Sequence, residues 1–362
     1  VFGSVRTDRS LKWKSKNIKV HVTWGATYFP VFEAFKAIEK YTCIRFTFMY
    51  DELKNENGIN VLYAHRCGFD QVGKRSGKKP NEIYLGSGCY SSSVHIQGFI
   101  LQILGLDYEH NRMDRDKYID IRNDSIKPEG FKYFEKGNSS STKSYGTNYD
   151  YGSITHGLPT AFSKSGGITI QVKDKKNAYY YQRMIGQRKS VSFNEYKLIN
   201  FMYCNKTCSK TKKKPECWFG GYQNPNDCEK CLCPYPLAGY KCQGFLPMSY
   251  YCSRITSFTA RRQVDFFGFK AHTNCYALVQ TPKPDQRIHI RVRRTWLSNQ
   301  EICTRDYSML EIKYKADKSL MGVCFCGAVY DHEFDSESDV VYFIYHGYRI
   351  SQSATIWFNL IE

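Results

Sequence analysis

No run in this chain approaches the roughly 18 to 20 consecutive apolar residues that a membrane-crossing helix needs, so a spanning segment is not expected. Residues Val1 to Lys16 also lack the apolar stretch of a signal peptide, as expected of a processed or recombinant form. Acidic side chains are scarce: 34 Asp and Glu stand against 52 Lys and Arg, a formal charge of +18. That balance favours acidic partners such as sulfated glycans, anionic surfaces or acidic proteins. No nucleic-acid-binding motif accompanies the charge, so nucleic acid is not expected as a partner. Cysteine is thin over most of the chain, with only Cys43, Cys67, Cys89 and Cys204 in the first 204 residues.

What is present points to several folded units. A chain of 362 residues with 16% aromatics exceeds what one hydrophobic core usually serves and has enough apolar surface for two or three. Eleven of the fifteen cysteines crowd into the remainder after Cys204, the pattern of a large core domain followed by stapled modules. The cysteines, together with the sequons at Asn123, Asn138 and Asn205, place the chain on an oxidising, secreted and extracellular route. The charge is uneven too, with +12 of the total in residues 1–203.

Val31 to Lys40 has apolar residues at helical spacing, and Ile44 to Tyr50 has the aromatic and β-branched content of a strand. Val94 to Leu104 reads as a mostly apolar helix that Gly105 stops. A polar, turn-rich stretch over Gly137 to Gly152 precedes a strand-like Gly167 to Val172. From Cys204 to Cys242 the closely set cysteines, glycines and prolines cannot bury a core and need disulfides. Beyond Cys252, Arg287 to Val292, Met309 to Tyr314, Val340 to Tyr345 and Ala354 to Leu360 alternate like the strands of an all-β sandwich.

Several short signposts recur in order: Tyr41 to Phe46, Cys67 and Cys89, Leu104-Gly105, Tyr108 to Asp116, Tyr149 to Ile154, Ala161 to Ser163, Ile185 to Arg188, and Asn200 to Cys204. In these the chain resembles the astacin family of zinc endopeptidases, in the arrangement of nematode members. The resemblance implies an α+β metzincin protease domain over 1–203, an EGF-like module over 204–246 and an all-β CUB-like sandwich over 247–362. It also implies the disulfides Cys43 to Cys204, Cys67 to Cys89, Cys208 to Cys228, Cys217 to Cys231, Cys233 to Cys242, Cys252 to Cys275 and Cys303 to Cys326. Cys324 is left over, either as a buried thiol or as a link to another chain.

The family's zinc motif places two His at i and i+4 on one helix face, with a Glu as base, a Gly for the sharp turn and a third His to complete an open site. Anchored on Gly105, the resemblance puts Gly98 and Gln102 at the first two ligand positions, Tyr108 at the third and Phe99 at the Glu. The family's later Ser-x-Met-His-Tyr turn reads Ser153-Ile154-Thr155-His156-Gly157, so Thr155 and Gly157 stand for its Met and Tyr. Six altered positions imply natural loss of catalysis, hence no enzyme, no catalytic residues and no zinc. A site built from the leftovers His95, His110 and His156 is the alternative, against plain packing roles for all three. Glu109 stands where the family contacts the mature N-terminus. In the CUB-like part the calcium set is incomplete, with Asp306 present but Ser298 at the expected Glu position.

The expected function is a secreted binding scaffold for an extracellular protein or glycan, in a specific version a parasite effector engaging a host receptor or cytokine and modulating immunity. Matrix or cuticle regulation by sequestering substrates is the alternative, and a hydrolase with an unrecognised site is the lesser one. Lys210, Lys212, Lys213 and Lys214 form one candidate anionic-ligand run, and Arg291, Arg293 and Arg294 another on a strand whose alternation puts Arg291 and Arg293 on one face.

Overall fold

The computed structural model describes residues 5–26, 28–138 and 140–361, so the middle residue of the Asn138 sequon lies outside the described ones. The N-terminal half opens with a five-stranded sheet ordered Arg45–Met49, Asn17–Val22, Ile59–Tyr63, Asn81–Leu85 and Gly68–Phe69. The first four strands run parallel and Gly68–Phe69 closes the edge antiparallel. Parallel strands need crossovers, and helix α1 (Tyr28–Tyr41) supplies the first of them, burying Val31, Ala34, Phe35 and Ile38 at the i, i+3, i+4, i+7 spacing of one helix face. Helix α2 (Ser93–Ile103) is buried from Ile96 to Ile103, which is why its sequence lacks a polar stripe. It ends where Gly105 adopts φ +110°, a conformation open to glycine at little cost.

After α2 the chain is largely irregular. The turn-rich stretch holds one short strand, Thr142–Lys143, paired with Val5–Arg6, and Ile170–Val172 pairs with Ile119–Ile121. Helices α3 (Ala178–Gln182) and α4 (Phe193–Ile199) complete this half. The cysteine-rich stretch forms two small hairpins, Tyr222–Asn224 with Asp227–Leu232 and Leu237–Ala238 with Gly244–Phe245. Beyond it, a five-stranded sheet (Ser257–Thr259, Asn274–Gln280, Val340–His346, Met309–Lys313, Val323–Phe325) and a four-stranded sheet (Asp265–Lys270, Ser353–Ile361, Arg287–Trp296, Ala328–Asp335) share one core. Their alternating burial, Ile288, Ile290 and Val292 in and Arg287, His289 and Arg291 toward the other face, is the period-two pattern of strands with one wet side.

Seven disulfides are present: Cys43–Cys204, Cys67–Cys89, Cys208–Cys228, Cys217–Cys231, Cys233–Cys242, Cys252–Cys275 and Cys303–Cys326. Cys324 is a free, buried thiol, pushed well up in pKa by burial. Among the described residues no helix is long and apolar enough to cross a membrane.

The two-sheet unit does not hang free. Its core is continuous with Ile119, Tyr149, Tyr151, Tyr181, Met184 and Ile185 of the preceding half. The Cys324 N–H points at Met184 Sδ at 3.3 Å, Cys303 N donates to the Arg183 carbonyl at 2.7 Å, and Arg183 Nη2 donates to Asn299 Oδ1 at 2.7 Å. Met184→Ala is therefore expected to cost about 2–5 kcal/mol in urea unfolding, the range for deleting a fully buried long side chain, because it empties the seam between the units.

Candidate functional site

α2 starts at Ser92, whose hydroxyl accepts the His95 N–H at 3.2 Å, and carries Gly98, Phe99 and Gln102 in its buried stretch. A Cβ added at Gly98 would meet the Ile154 side chain at 3.4 Å, so the bare helix surface here is filled by the turn opposite. Phe99 is buried, with its ring 4.9 Å from His95 and 5.9 Å from Phe69. Gln102 is 5% exposed, and its amide faces the Tyr108 phenol, whose oxygen takes a side-chain hydrogen bond from it that is longer or less well aligned than an ordinary one. Tyr108 itself donates its N–H to Asp107 Oδ1, and Asp107 is ion-paired with Arg6 at 2.7 Å. Burial raises the pKa of the Tyr108 phenol.

The turn opposite α2 is held by one carboxylate. Glu195 accepts from Ser153 Oγ at 2.6 Å, from the Ile154 N–H at 2.5 Å and from the Ser192 N–H at the head of α4. Burial pushes its pKa up to about 8 against the pull of these donors. Thr155 folds back on the same turn, its N–H bonding Ser153 Oγ at 3.1 Å. At Gly157 a Cβ would meet Ile170 at 2.9 Å and the His110 ring at 3.0 Å, so a larger residue there would displace that imidazole.

His110 and His156 use both ring nitrogens within the protein. His110 Nδ1 accepts the Gly157 N–H at 3.0 Å and its Nε2 donates to the Tyr133 carbonyl at 3.0 Å. His156 Nε2 accepts from the Tyr149 hydroxyl at 2.8 Å and its Nδ1 donates to the Gly157 carbonyl at 2.9 Å. Burial holds both rings neutral, His156 at a pKa of about 4 and His110 well below its ordinary value. His95, pulled down to about 4 by burial and by Arg188, packs on Phe99. Glu109 accepts the Asp150 N–H at 2.9 Å and lies 3.6 Å from Arg112, with burial raising its pKa to about 7; the expected contact with a chain terminus falls on residues outside the described ones.

Arg188 completes the site. Its Nη1 donates to the carbonyls of His156 (3.0 Å) and Gln187 (2.8 Å), and among the described residues no carboxylate lies within ion-pair distance. Its charge is felt by His95, Tyr108, His110 and His156, and burial lowers its own pKa. A cavity of about 500 Å³ opens beside Tyr108, between Phe69, Asp70, Asp107 and Tyr133. Tyr108 lines this cavity, whereas Gln102 and Arg188 lie behind it, linked to Tyr108 by a side-chain hydrogen bond and by charge. Arg188 and Glu195 escaped the sequence reading as cleft residues; the Ser192-x-x-Glu195 capping pattern was the signal for the latter.

The remaining candidates lie elsewhere. Asn123, Asn138 and Asn205 are exposed. Lys210, Lys212, Lys213 and Lys214 are exposed, without ion pairs among the described residues. Arg291 and Arg293 are instead neutralised: both pair with Asp331, Arg291 also with Glu333, and both lie over Trp357. Arg294 lies between Trp296 and Tyr330. Ser298 Oγ accepts from Gln352, and Asp306 is exposed.

A family model described as Astacin, a peptidase family, matches residues 6–204. The zinc metalloproteinase nas-34 of Caenorhabditis elegans is 34% identical over 311 residues, 85% of this chain and 49% of that protein. The zinc metalloproteinase nas-36 of Caenorhabditis briggsae is 29% identical over 373 residues, 98% of this chain and 56% of that protein. The chain spans about half the length of the curated relatives it matches. Among solved structures, high choriolytic enzyme 1, a hatching enzyme zinc-protease from Oryzias latipes, is 28% identical with a TM-score of 0.45, covering 53% of this chain and 92% of that one.

These findings correct two expectations. A chain that is no enzyme and takes no zinc does not follow from the altered motif: the matching family is a peptidase family, the relatives are named zinc metalloproteinases, and both point to a zinc-dependent protease. The residues at the motif positions do not themselves fit that ion. Gly98 has no donor atom, Gln102 and Tyr108 offer a neutral amide and a phenol in place of imidazoles, and the nitrogens of His110 and His156 are engaged in hydrogen bonds within the protein.

The buried histidines set a pH dependence. A ring whose folded pKa is about 4 against an ordinary 6.5 binds fewer protons folded than unfolded between those values, so stability is full above about 6.5 and falls as pH drops toward 4. Thermal unfolding is expected to show this decline. His156→Gln, which keeps an acceptor for Tyr149, is expected to remove roughly 3 kcal/mol of it.

Proposed function

Because the chain belongs to the astacin family of peptidases, we propose that it works outside the cell by holding a segment of an extracellular protein in the cleft beside α2. The carrying observation is the buried Arg188 guanidinium, which has no carboxylate within ion-pair distance among the described residues and whose charge reaches Tyr108, the residue at the third ligand position. A ligand bringing a carboxylate or peptide carbonyls supplies what the guanidinium lacks, and charge-assisted hydrogen bonds are the strong ones. In this reading residues 1–203 form the astacin-like domain, 204–246 an EGF-like module held by three disulfides, and 247–362 a CUB-like sandwich. The disulfides and glycosylation sequons support a secreted, extracellular glycoprotein. The ligand on this reading is a host receptor or cytokine; a matrix or cuticle protein is the alternative.

Sulfated glycans are assigned to the Lys210 to Lys214 run and not to Arg291 and Arg293, whose charges are already paired. A second reading, peptide hydrolysis, is favoured by the names of the relatives.

Affinity capture from extracellular proteins with the glycosylated chain tests the first reading. A retained protein is expected, and Arg188→Lys together with Gln102→Leu is expected to weaken it about tenfold; uniform failure of capture by monodisperse protein sinks the proposal. Mass spectrometry of a peptide library incubated with the chain and zinc decides the second reading, since new termini appear only with turnover. Retention on heparin is expected to fall when Lys210, Lys212, Lys213 and Lys214 become Ala, and to be little changed by Arg291→Ala.

A further inference from the structure

A second cavity, of about 360 Å³, lies where the three parts of the chain meet, lined from α1 and α2 by Tyr41, Val94 and Gln97, from α4 by Phe193 and Tyr196, from the cysteine-rich stretch by Tyr235, and beyond it by Arg305. None of Phe99, Gln102, Tyr108 and Arg188 lines it. Its size falls within the ~300–1,000 Å³ of small-molecule sites, and its apolar walls combine aromatic and aliphatic side chains, with the Tyr41 and Tyr196 rings 4.7 Å apart and Phe193 5.2 Å from Tyr222.

Besides Ser190 and the tyrosine hydroxyls, three side chains on this wall carry nitrogen donors. Gln97 is 6% exposed; its Oε1 accepts the Tyr196 hydroxyl at 2.5 Å, which leaves Nε2 with no partner among the described residues. Arg305 lies over the Tyr235 ring at 4.7 Å and gives Nε and Nη2 to Glu311, at 2.6 and 2.7 Å, leaving Nη1. Lys189 is exposed at the edge and forms no ion pair among the described residues, although Asp306 feels its charge. Among the described residues no Asp or Glu lines the cavity. Apolar walls, the exposed Lys189 ammonium as free charge, and the Gln97 Nε2 and Arg305 Nη1 as further donors, the guanidinium charge being balanced by Glu311, describe a host for an apolar body that ends in an anion.

We propose that this junction cavity binds an amphipathic monocarboxylate of the long-chain fatty acid class, its chain among Tyr41, Val94, Phe193 and Tyr196 and its carboxylate toward Gln97, Lys189 and Arg305. The site exists only in the assembled chain, because Tyr235 and Arg305 close it from outside the astacin-like half. Its occupation would tie the three parts together, as any ligand that binds only the native state stabilises it.

The test uses the full chain, with anilinonaphthalene sulfonate as fluorescent probe and oleate as competitor. Saturable probe fluorescence, displaced by oleate, is expected, together with a rise in unfolding temperature on adding oleate. Ala37→Trp, which fills the cavity, is expected to abolish displacement, and the surface change Lys189→Glu to weaken oleate about tenfold with an unchanged unfolding curve in its absence. Oleyl alcohol is expected to compete poorly. Absence of saturable displacement, equal affinity in Lys189→Glu, or equal competition by the alcohol overturns the proposal. Since no cleft residue is altered, failure here leaves the reading of the cleft standing, and failure of protein capture leaves this one.

Discussion

The Glu195 carboxylate, buried at the head of α4, fixes the site more than any other single group. By taking the hydrogens of Ser153 Oγ, the Ile154 N–H and the Ser192 N–H, it sets the Ser153 to Gly157 turn at one height above α2. Ile154 then drops onto the bare backbone at Gly98, and Gly157 leaves room for the His110 ring. Removing such a carboxylate would orphan three buried donors at once, a cost of several kcal/mol. The cleft is therefore a rigid surface between two anchored elements.

Rigidity of that kind suits recognition. The charged group at the site, Arg188, is held in place by its neighbours, with Nη1 spent on the carbonyls of His156 and Gln187 and no carboxylate within ion-pair distance among the described residues. Donors fixed in place lose little further freedom when an acceptor arrives, which is the advantage of preorganisation. The same logic recurs at the junction cavity, where Glu311 holds the Arg305 guanidinium and Tyr196 holds the Gln97 amide.

The seam between the two halves carries a further consequence. Tyr181, Met184 and Ile185 follow a turn-rich stretch and belong to the same apolar cluster as Phe325 and Ile312 of the two-sheet unit. His332 bonds Asn177 Oδ1 at 2.8 Å across the same boundary, and Lys315 lies over the Tyr151 and Tyr181 rings. An apolar seam with polar pins fixes the last unit against the preceding half, and that placement brings Arg305 to the junction cavity.

What the sequence by itself determined is local or periodic. The spacing of Val31, Ala34, Phe35 and Ile38 specifies α1, Gly105 ends α2, and period-two alternation marks Arg287 to Val292, because each depends on backbone geometry that neighbours along the chain dictate. Order and spacing of short signposts also carried the family, and the composition carried the oxidising environment. Tertiary structure alone decided the rest. Whether Arg291 and Arg293 are free charges turned on Asp331 and Glu333, which a different strand brings alongside. How the bare helix surface at Gly98 is filled turned on the meeting of α2 with a turn far along the chain. The cavity at Tyr235 and Arg305 needed three segments to converge. Electrostatic pairing and burial depend on separation in space, and chain order constrains that only after the fold has closed.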